Sequence, residues 1–301
     1  MEKIESFTPQ EVAEMLKIAK TTVYELIKRG ELNHYKIGNK MRIELKDIED
    51  YKNRHKHTKD NIKTDLFEDE FTLCGQDLML DVITRYYAEK NLSSKIYRSY
   101  IGSYNSLIAM YTNDKTIATA HLWDAKTDTY NISYIQSLVP GVPVVVIHLV
   151  KRVQGFYVQK GNPKNVRTWE DLTKSGVSLI NREKGSGTRV LLDENLKLLN
   201  IDENSIDGYE RESTSHSACA SIVARGGADV AIGNEKTAMQ VSNIDFIPLK
   251  EESYDMVIKK KELNTEVVQT LLEIIGSQQF IQEIEGLGGY DISNIGKILN
   301  V

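Results

Sequence analysis

The segment Gly185-Ser186-Gly187-Thr188-Arg189 has the residue types best suited to binding a small ligand. Glycines let a backbone approach a ligand closely, while the hydroxyls of Ser186 and Thr188 and the cation of Arg189 can hydrogen-bond to it. The segment follows the strand pattern VSLINRE and precedes the helix pattern VLLDENLKLLN. Because a helix N-terminus presents unpaired N–H groups and a partial positive charge, this segment predicts an anion site.

Three other strand-to-helix joints have the same character: Gly75-Gln76-Asp77, Gly102-Ser103-Tyr104 and Ser213-Thr214-Ser215-His216. Ser, Thr and Asp are also common helix caps, so ordinary capping explains any one joint. Four joints together favour ligand binding. The predicted ligand-binding residues are Gln76, Asp77, Ser103, Tyr104, His121, Arg182, Ser186, Gly187, Thr188, Arg189, Ser213, Ser215 and His216.

Alternatives stay open for four of the charged or titratable residues. Arg182 and Arg189 could pair with carboxylates at the surface, and His121 could be a hydrogen-bonded core residue. His148 stands within an apolar strand pattern, which favours a core role.

Signatures of catalysis and of metal binding are missing from the sequence. There is no GxSxG, no GxxxxGK[ST] and no evident nucleophile with a base. His55 and His57 lack an acidic or Cys partner in a ligand pattern, and Cys74 and Cys219 are far apart, which favours reduced, structural thiols. We therefore predict no catalytic residue, no metal site and no cofactor.

The chain after residue 70 alternates strand patterns with helix patterns, which predicts an α/β fold with mainly parallel strands. In such folds ligands bind beyond the carboxyl ends of strands, where all four joints fall. PVVVIHLV and QGFYVQKGN are predicted to be a pair of strands crossing between two lobes, and FIPLKEESYDMVIKK to return the chain to the first lobe.

The first 56 residues predict a small helical domain. Thr8, Pro9 and Glu11 form a capping-box start for a helix to Lys17, and a second helix covers Thr22 to Lys28 before Gly30. LNHYKIGNKMRI predicts a β-hairpin, and Leu45 to Arg54 a third helix that packs Leu45, Ile48 and Tyr51 on the others. Two short helices joined by a tight turn place the start of the second helix in the DNA major groove. The predicted DNA-binding residues are Lys20, Thr21, Thr22, Tyr24, Lys40 and Arg42.

Charge is distributed unevenly along the chain. Residues 1–59 carry a formal charge of +3 and the remainder −8, as expected for a DNA-binding module joined to a sensor of small molecules. No segment has the pattern of a secretory signal or a membrane span, so we expect a cytoplasmic protein without membrane contact.

The stretch VYELIKRGELNHYKIGNKMRIELKDIEDY resembles the excisionase or MerR-type winged helix-turn-helix. Residues 71 to 295 resemble periplasmic-binding-protein-like domains related to molybdate-type receptors. The residues that carry this likeness are IGSYNSLIAM, TAHLWDAKTDTYN, VKRVQGFYVQKGNPKNV, LINREKGSGTR, GYERESTSHSACASIVARGGADVAIG, DFIPLKEESYDMVI and GLGGYD.

The resemblance implies a two-lobed periplasmic-binding-protein-like domain preceded by a small winged helix-turn-helix domain. The expected boundaries are 1–56 for the DNA-binding domain, 57–70 for a linker and 71–301 for the ligand-binding domain. Lobe 1 would comprise 71–150 and 250–301, and lobe 2 155–248.

The resemblance also implies a ligand site between the lobes. In related receptors a tetrahedral oxyanion is held by hydroxyl and N–H groups of both lobes, at positions matching Ser103, Ser186, Gly187 and Thr188. Tyr104 and Asn105 stand where relatives have small residues; an aromatic side chain there would narrow the cleft or stack on a planar ligand.

The expected function is ligand-controlled DNA binding by a homodimer, with molybdate or tungstate as the leading candidate ligand. An enzyme acting on a small anionic metabolite is the second reading, since several enzymes share this architecture. A recombination accessory factor is a third, although it leaves the second domain unexplained.

Overall fold

A computed structural model describes residues 6–38, 40–48, 51, 70–90 and 92–300. The chain divides into two compact units, residues 1–64 and 65–301. The predicted linker, His55, His57 and the end of the third predicted helix lie outside the described residues, apart from Glu70, which begins a strand.

The first unit is a small helical domain with a three-stranded sheet. Its elements are β1 (Ser6–Phe7), α1 (Pro9–Leu16), α2 (Lys20–Lys28), β2 (Tyr35–Ile37), β3 (Lys40–Glu44) and a helix α3 that begins at residue 45 and is described to residue 48. β1 and β2 both pair with β3 in antiparallel fashion. The hairpin of β2 and β3 confirms the predicted wing, whereas β1 was not predicted.

Local sequence determines where α1 begins. Thr8 Oγ1 accepts from the N–H of Glu11 and the Glu11 carboxylate accepts from the N–H of Thr8, which confirms the predicted capping box. α2 begins two residues earlier than predicted, at Lys20. The apolar side chains of both helices and of β3 meet in one core, made of Val12, Ala13, Val23, Leu26, Leu32, Ile43 and Ile48.

The second unit has two lobes built on one sheet, which has nine strands among the described residues. The chain first forms β4 (Glu70–Cys74), α4 (Leu78–Glu89), β5 (Lys95–Ser99), α5 (Ser103–Thr112), β6 (Thr116–Ala120), β7 (Trp123–Asp124), β8 (Thr129–Tyr130) and α6 (Ile132–Leu138). It then crosses to the second lobe on β9 (Val144–Gln159). There it forms, in chain order, a 3₁₀ turn at Trp169–Thr173, β10 (Leu179–Arg182), α7 (Gly187–Leu198), a 3₁₀ turn at Glu203–Ser205, β11 (Glu212–Ser213), α8 (His216–Ala224), β12 (Val230–Asn234) and α9 (Glu235–Ala238). It returns on β13 (Ile244–Lys259), followed by a 3₁₀ turn at Lys260–Glu262, α10 (Glu266–Ile275), α11 (Gln278–Leu287) and β14 (Ile298–Asn300).

Two long strands join the lobes. β9 and β13 are each 16 residues long and pair with each other in antiparallel fashion along almost their whole length. Within the lobes the strands are parallel as predicted: β4 pairs with β5 and β6, and β10 pairs with β11 and β12. The prediction of two separate crossing strands at 143–150 and 154–162 was wrong, because β9 runs unbroken through Lys151 and Arg152.

Separate apolar clusters stabilise the two lobes. In one, Phe71, Leu73, Met79, Leu80 and Ile83 pack against the C-terminal helices, and in the other the residues of β10 and β12 pack against α7. Cys74 and Cys219 are buried free thiols, as predicted, and burial raises the pKa of each to about 11.

Candidate functional site

A small cavity lies between the two lobes of the second unit, and we call it the inner cavity. Its volume is about 20 Å³, in a measure in which roughly 10–15 Å³ holds one water. Both lobes and both crossing strands contribute to its wall. The lining residues are Gly75, Gln76, Asp77, Ile101, Gly102, Ser103, Thr119, His121, Arg152, Arg182, Ser186, Gly187, His216 and Tyr254.

Four helices begin at the wall of the inner cavity. α4 and α5 of the first lobe follow Asp77 and Gly102, and α7 and α8 of the second lobe follow Ser186 and Ser215. The first N–H groups of a helix have no partner within it and carry partial positive charge. The inner cavity therefore combines the N-terminal ends of helices from both lobes, an arrangement suited to an anion.

The lobes touch each other through glycine at the edge of this cavity. The N–H of Tyr104 donates to the Gly185 carbonyl at 2.9 Å. A Cβ at Gly102 would lie 2.8 Å from that carbonyl oxygen, and a Cβ at Gly187 would lie 2.6 Å from the His121 ring. Only residues without a side chain fit where the two turns approach this closely.

A buried ion network on the crossing strands forms one side of the cavity. The Arg152 guanidinium donates to Asp77 and to Glu252, and it lies 4.3 Å from the centre of the Tyr254 ring. Nδ1 of His121 lies 2.7 Å from Glu252 Oε2. Burial alone would raise the pKa of Glu252, but the charges of Arg152 and then His121 lower it to about 2. Glu252 is therefore an ionised acceptor, so Nδ1 of His121 is the donor in this hydrogen bond.

Arg182 connects the lobes from the other side. Its Nη2 donates to Gln76 Oε1 at 2.6 Å and to Glu183 Oε1 at 2.8 Å, and Gln76 Nε2 donates to Glu183 Oε1 at 3.3 Å. The Arg182 side chain is 2% exposed. Arg182 therefore pairs with a carboxylate, as the alternative interpretation proposed, and it also lines the inner cavity.

His216, at the start of α8, has a buried ring nitrogen with no partner. Among the described residues, no group forms a hydrogen bond to its Nδ1. Burial, together with the charges of Arg182 and Arg152, lowers the pKa of His216 well below its usual value. A neutral imidazole facing two guanidiniums in a cavity wall is a polar group that a ligand can satisfy.

Of the predicted ligand-binding residues, eight line the inner cavity: Gln76, Asp77, Ser103, His121, Arg182, Ser186, Gly187 and His216. Ser186 Oγ accepts from the N–H of Arg189 as a helix cap, and Ser103 Oγ accepts from the N–H of His121, so the Ser103 proton remains available to donate.

The other five are absent from that wall. Thr188 donates to Gln154 Oε1, while Arg189 is buried against Asp193, Glu212 and the Tyr209 ring.

The remaining three lie near the cavity without lining it. Tyr104 contacts the Gly185 turn through its backbone, and the carbonyl of Ser213 accepts from Arg182. Ser215 caps α8 and faces a neighbouring chamber.

Six residues of the wall are outside the predicted list. Gly75, Ile101 and Gly102 belong to or adjoin the predicted joints, whereas Thr119, Arg152 and Tyr254 were missed because they stand inside strands. A charged residue within an apolar strand needs an oppositely charged or hydrogen-bonding partner when it is buried. Arg152 in this strand could therefore have indicated a buried ion pair. His148, by contrast, has the core role that was favoured for it: it is buried, and Nδ1 lies 2.7 Å from Asp255 Oδ1.

In the first unit, the predicted DNA-binding residues lie on α2 and on the hairpin. Lys20, Thr21, Tyr24 and Lys40 are exposed, and Thr22 is half-buried. Arg42 is also half-buried, with its Nη1 3.4 Å from the Ser6 carbonyl oxygen and 4.0 Å from Glu11 Oε2. Lys36, which was not predicted, is a further exposed cation of the hairpin.

The part of the chain that the structure describes has neither a metal-ligand cluster nor a helix that could span a membrane. It contains no group of three His, Cys, Asp or Glu side chains placed to hold a metal ion. Its helices are all too short or too polar to cross a bilayer.

The fold and the cavity define a class of protein: a two-lobed binding unit that follows a helix-turn-helix unit. The chain belongs to the family of the PBP superfamily domain, whose model matches residues 84–276, and the model of a helix-turn-helix domain matches residues 6–56.

One curated relative matches the chain almost from end to end, and another matches about a third of it. An uncharacterized Bacillus subtilis protein, YvgK, is 38% identical over 99% of both chains. An uncharacterized Clostridium pasteurianum protein, encoded in the 5′ region of a 2Fe-2S ferredoxin gene, is 59% identical over 36% of this chain and 97% of its own.

Solved structures of binding proteins have the same fold as the second unit. A Clostridium perfringens substrate-binding protein with bound phosphate has a TM-score of 0.56 at 13% identity, covering 74% of this chain and 99% of its own. The sulfate-binding protein SubI of Mycobacterium tuberculosis has a TM-score of 0.51 at 16% identity, covering 75% and 88%.

Proposed function

We propose that this protein is a one-component transcription regulator, which binds DNA through its first unit and senses an anion in the inner cavity of its second. The observation that carries the proposal is the convergence of four helix N-termini, Arg182 and the unpartnered His216 nitrogen, in a chain that also has a helix-turn-helix unit.

The ligand we propose contains a tetrahedral oxyanion. A cavity of about 20 Å³ admits few atoms, and backbone N–H and guanidinium groups are the donors that oxyanions accept from. Phosphate and sulfate, named for two proteins of the same fold, join molybdate and tungstate as candidates.

Binding of the anion would stabilise the closed arrangement of the lobes, since contacts such as Gln76 with Arg182 exist only when the lobes meet. A ligand shifts such an equilibrium only as far as it prefers one form. The protein would act as a homodimer on paired DNA half-sites, as helix-turn-helix proteins commonly do, and in the cytoplasm, where it has access to the chromosome.

The two activities can be separated by substitution. Lys20→Ala with Lys40→Ala removes two exposed cations of the first unit, so affinity of the full chain for a DNA duplex selected from a random library should fall. The salt dependence should also weaken, by about 0.9 in log–log slope for each DNA phosphate that the variant no longer neutralises. Affinity for inorganic phosphate, measured by calorimetry, should not change.

The matched control is Lys126→Ala with Lys164→Ala, which removes the same charge from exposed positions of the second unit. Unchanged DNA affinity in the Lys20 and Lys40 variant, or an equal decrease in the control, would refute the assignment of the DNA surface.

A further inference from the structure

A second, larger chamber opens beside the inner cavity, and we call it the outer chamber. Its volume is about 430 Å³, within the range of roughly 300–1,000 Å³ that organic ligands occupy. Its wall shares Gln76, Asp77 and His216 with the inner cavity. The two spaces are therefore neighbours at these three side chains, which a ligand occupying both would contact.

Polar groups of both lobes line the outer chamber. Hydroxyl and amide side chains predominate, and the charged side chains are Asp77, Asp81 and Lys236. Leu78 is the one aliphatic side chain among the described residues of this wall. The lining residues are Gln76, Asp77, Leu78, Asp81, Tyr100, Thr214, Ser215, His216, Ser217, Asn234, Lys236, Thr237, Gln240 and Tyr290. These donors and acceptors suit a molecule that bears hydroxyl groups.

The segment after α11 helps to form the outer chamber across both lobes. Tyr290 OH donates to Asp77 Oδ1 at 2.8 Å, and Lys236 Nζ of the second lobe donates to the Leu287 carbonyl. These contacts hold one wall of the outer chamber to the carboxylate that also lines the inner cavity. The outer chamber is thus part of the closed arrangement of the lobes.

From this geometry we propose that the ligand is a hydroxyl-bearing organic phosphate monoester. Its phosphate occupies the inner cavity and its organic body the outer chamber. The inference rests on the proposed anion site and adds to it the class of molecule that carries the anion. A monoester has the further advantage of a nearly dianionic head group at neutral pH, which the guanidiniums and helix N-termini favour.

The test is calorimetric titration of the full chain with inorganic phosphate, ribose 5-phosphate, glucose 6-phosphate, adenosine 5′-monophosphate and unphosphorylated ribose. At least one monoester should bind at least about tenfold more tightly than inorganic phosphate, while ribose should not bind. Inorganic phosphate binding as tightly as every monoester would overturn this inference and leave the anion site intact. Failure of all phosphate compounds to bind would overturn this inference, and failure of sulfate and molybdate to bind as well would overturn the anion site.

Two bulky substitutions test the location of the organic body. Ser217→Trp and Gln240→Trp fill the outer chamber from two different elements and lie outside the wall of the inner cavity. Each should weaken monoester binding by about tenfold or more, with little effect on inorganic phosphate, whose binding also reports that the variant is folded. Ser221→Trp, an exposed position on α8 outside both walls, is the control and should change neither affinity. Unchanged monoester affinity in both filling variants would refute the proposal.

Discussion

His216 is the residue whose state the ligand should change most. Its pKa is lowered by burial and by the nearby Arg182 and Arg152, so the imidazole is neutral near pH 7 in the free protein. A bound anion offsets those positive charges and offers an acceptor to Nδ1. The pKa of His216 should therefore be higher in the complex than in the free protein, and binding should take up a proton.

Sulfate affinity should accordingly rise as the pH falls from 8 to 5. Between the pKa of His216 in the free protein and its pKa in the complex, the complex binds more protons, so lowering the pH favours binding. For one proton, the affinity changes by at most about tenfold per pH unit. Sulfate is the appropriate probe because its own charge is constant over this range. Calorimetry at a series of pH values measures the slope.

His216→Gln should flatten this pH profile, whereas His34→Gln, an exposed histidine of the first unit, should preserve it. A slope that is the same in the His216 variant and in the unmodified protein would show that another group takes up the proton.

At the scale of elements, the helix starts and the returning strand β13 were readable from sequence, whereas the continuity of β9 was not. Caps such as Thr8 and Ser186 act within three residues, so local sequence reveals them. Arg152 pairs with Asp77 and Glu252, which are 75 and 100 residues away in the chain. Nothing near Arg152 in the sequence shows that partners compensate its charge.

The crossing strands also predict a clear contrast between neighbouring residues. Arg152→Met removes the guanidinium that the buried carboxylates Asp77 and Glu252 share and should lower the free energy of unfolding by about 3–5 kcal/mol. Lys151→Met breaks an exposed pair with Glu251 at 2.7 Å and should cost less than about 1 kcal/mol. Urea denaturation of the two variants, followed by circular dichroism, measures the difference. Equal costs would show that the Arg152 network does not stabilise the second unit.

For the molecule as a whole, the sequence predicted the classes of its two units and eight of the residues that line the inner cavity. The joints were detectable because capping residues and glycines mark helix starts wherever they occur. Which side chains of these joints face one cavity depends on where the fold places the strands. Arg189 and Ser213 were therefore predicted together with the cavity residues, although they are absent from its wall. The outer chamber depends on Tyr290 and Lys236, whose roles arise only from folding.

The central claim is that occupancy of the inner cavity is coupled to DNA binding. Linkage makes this coupling reciprocal, so DNA must change the affinity for the anion by the same factor as the anion changes the affinity for DNA. The most direct measurement is calorimetric titration of the full chain with inorganic phosphate, with and without a saturating selected duplex. We predict that the duplex changes phosphate affinity by about 5- to 150-fold in one direction, as is typical of allosteric coupling. Identical phosphate affinities in the two titrations would contradict the claim that this protein is a ligand-controlled regulator.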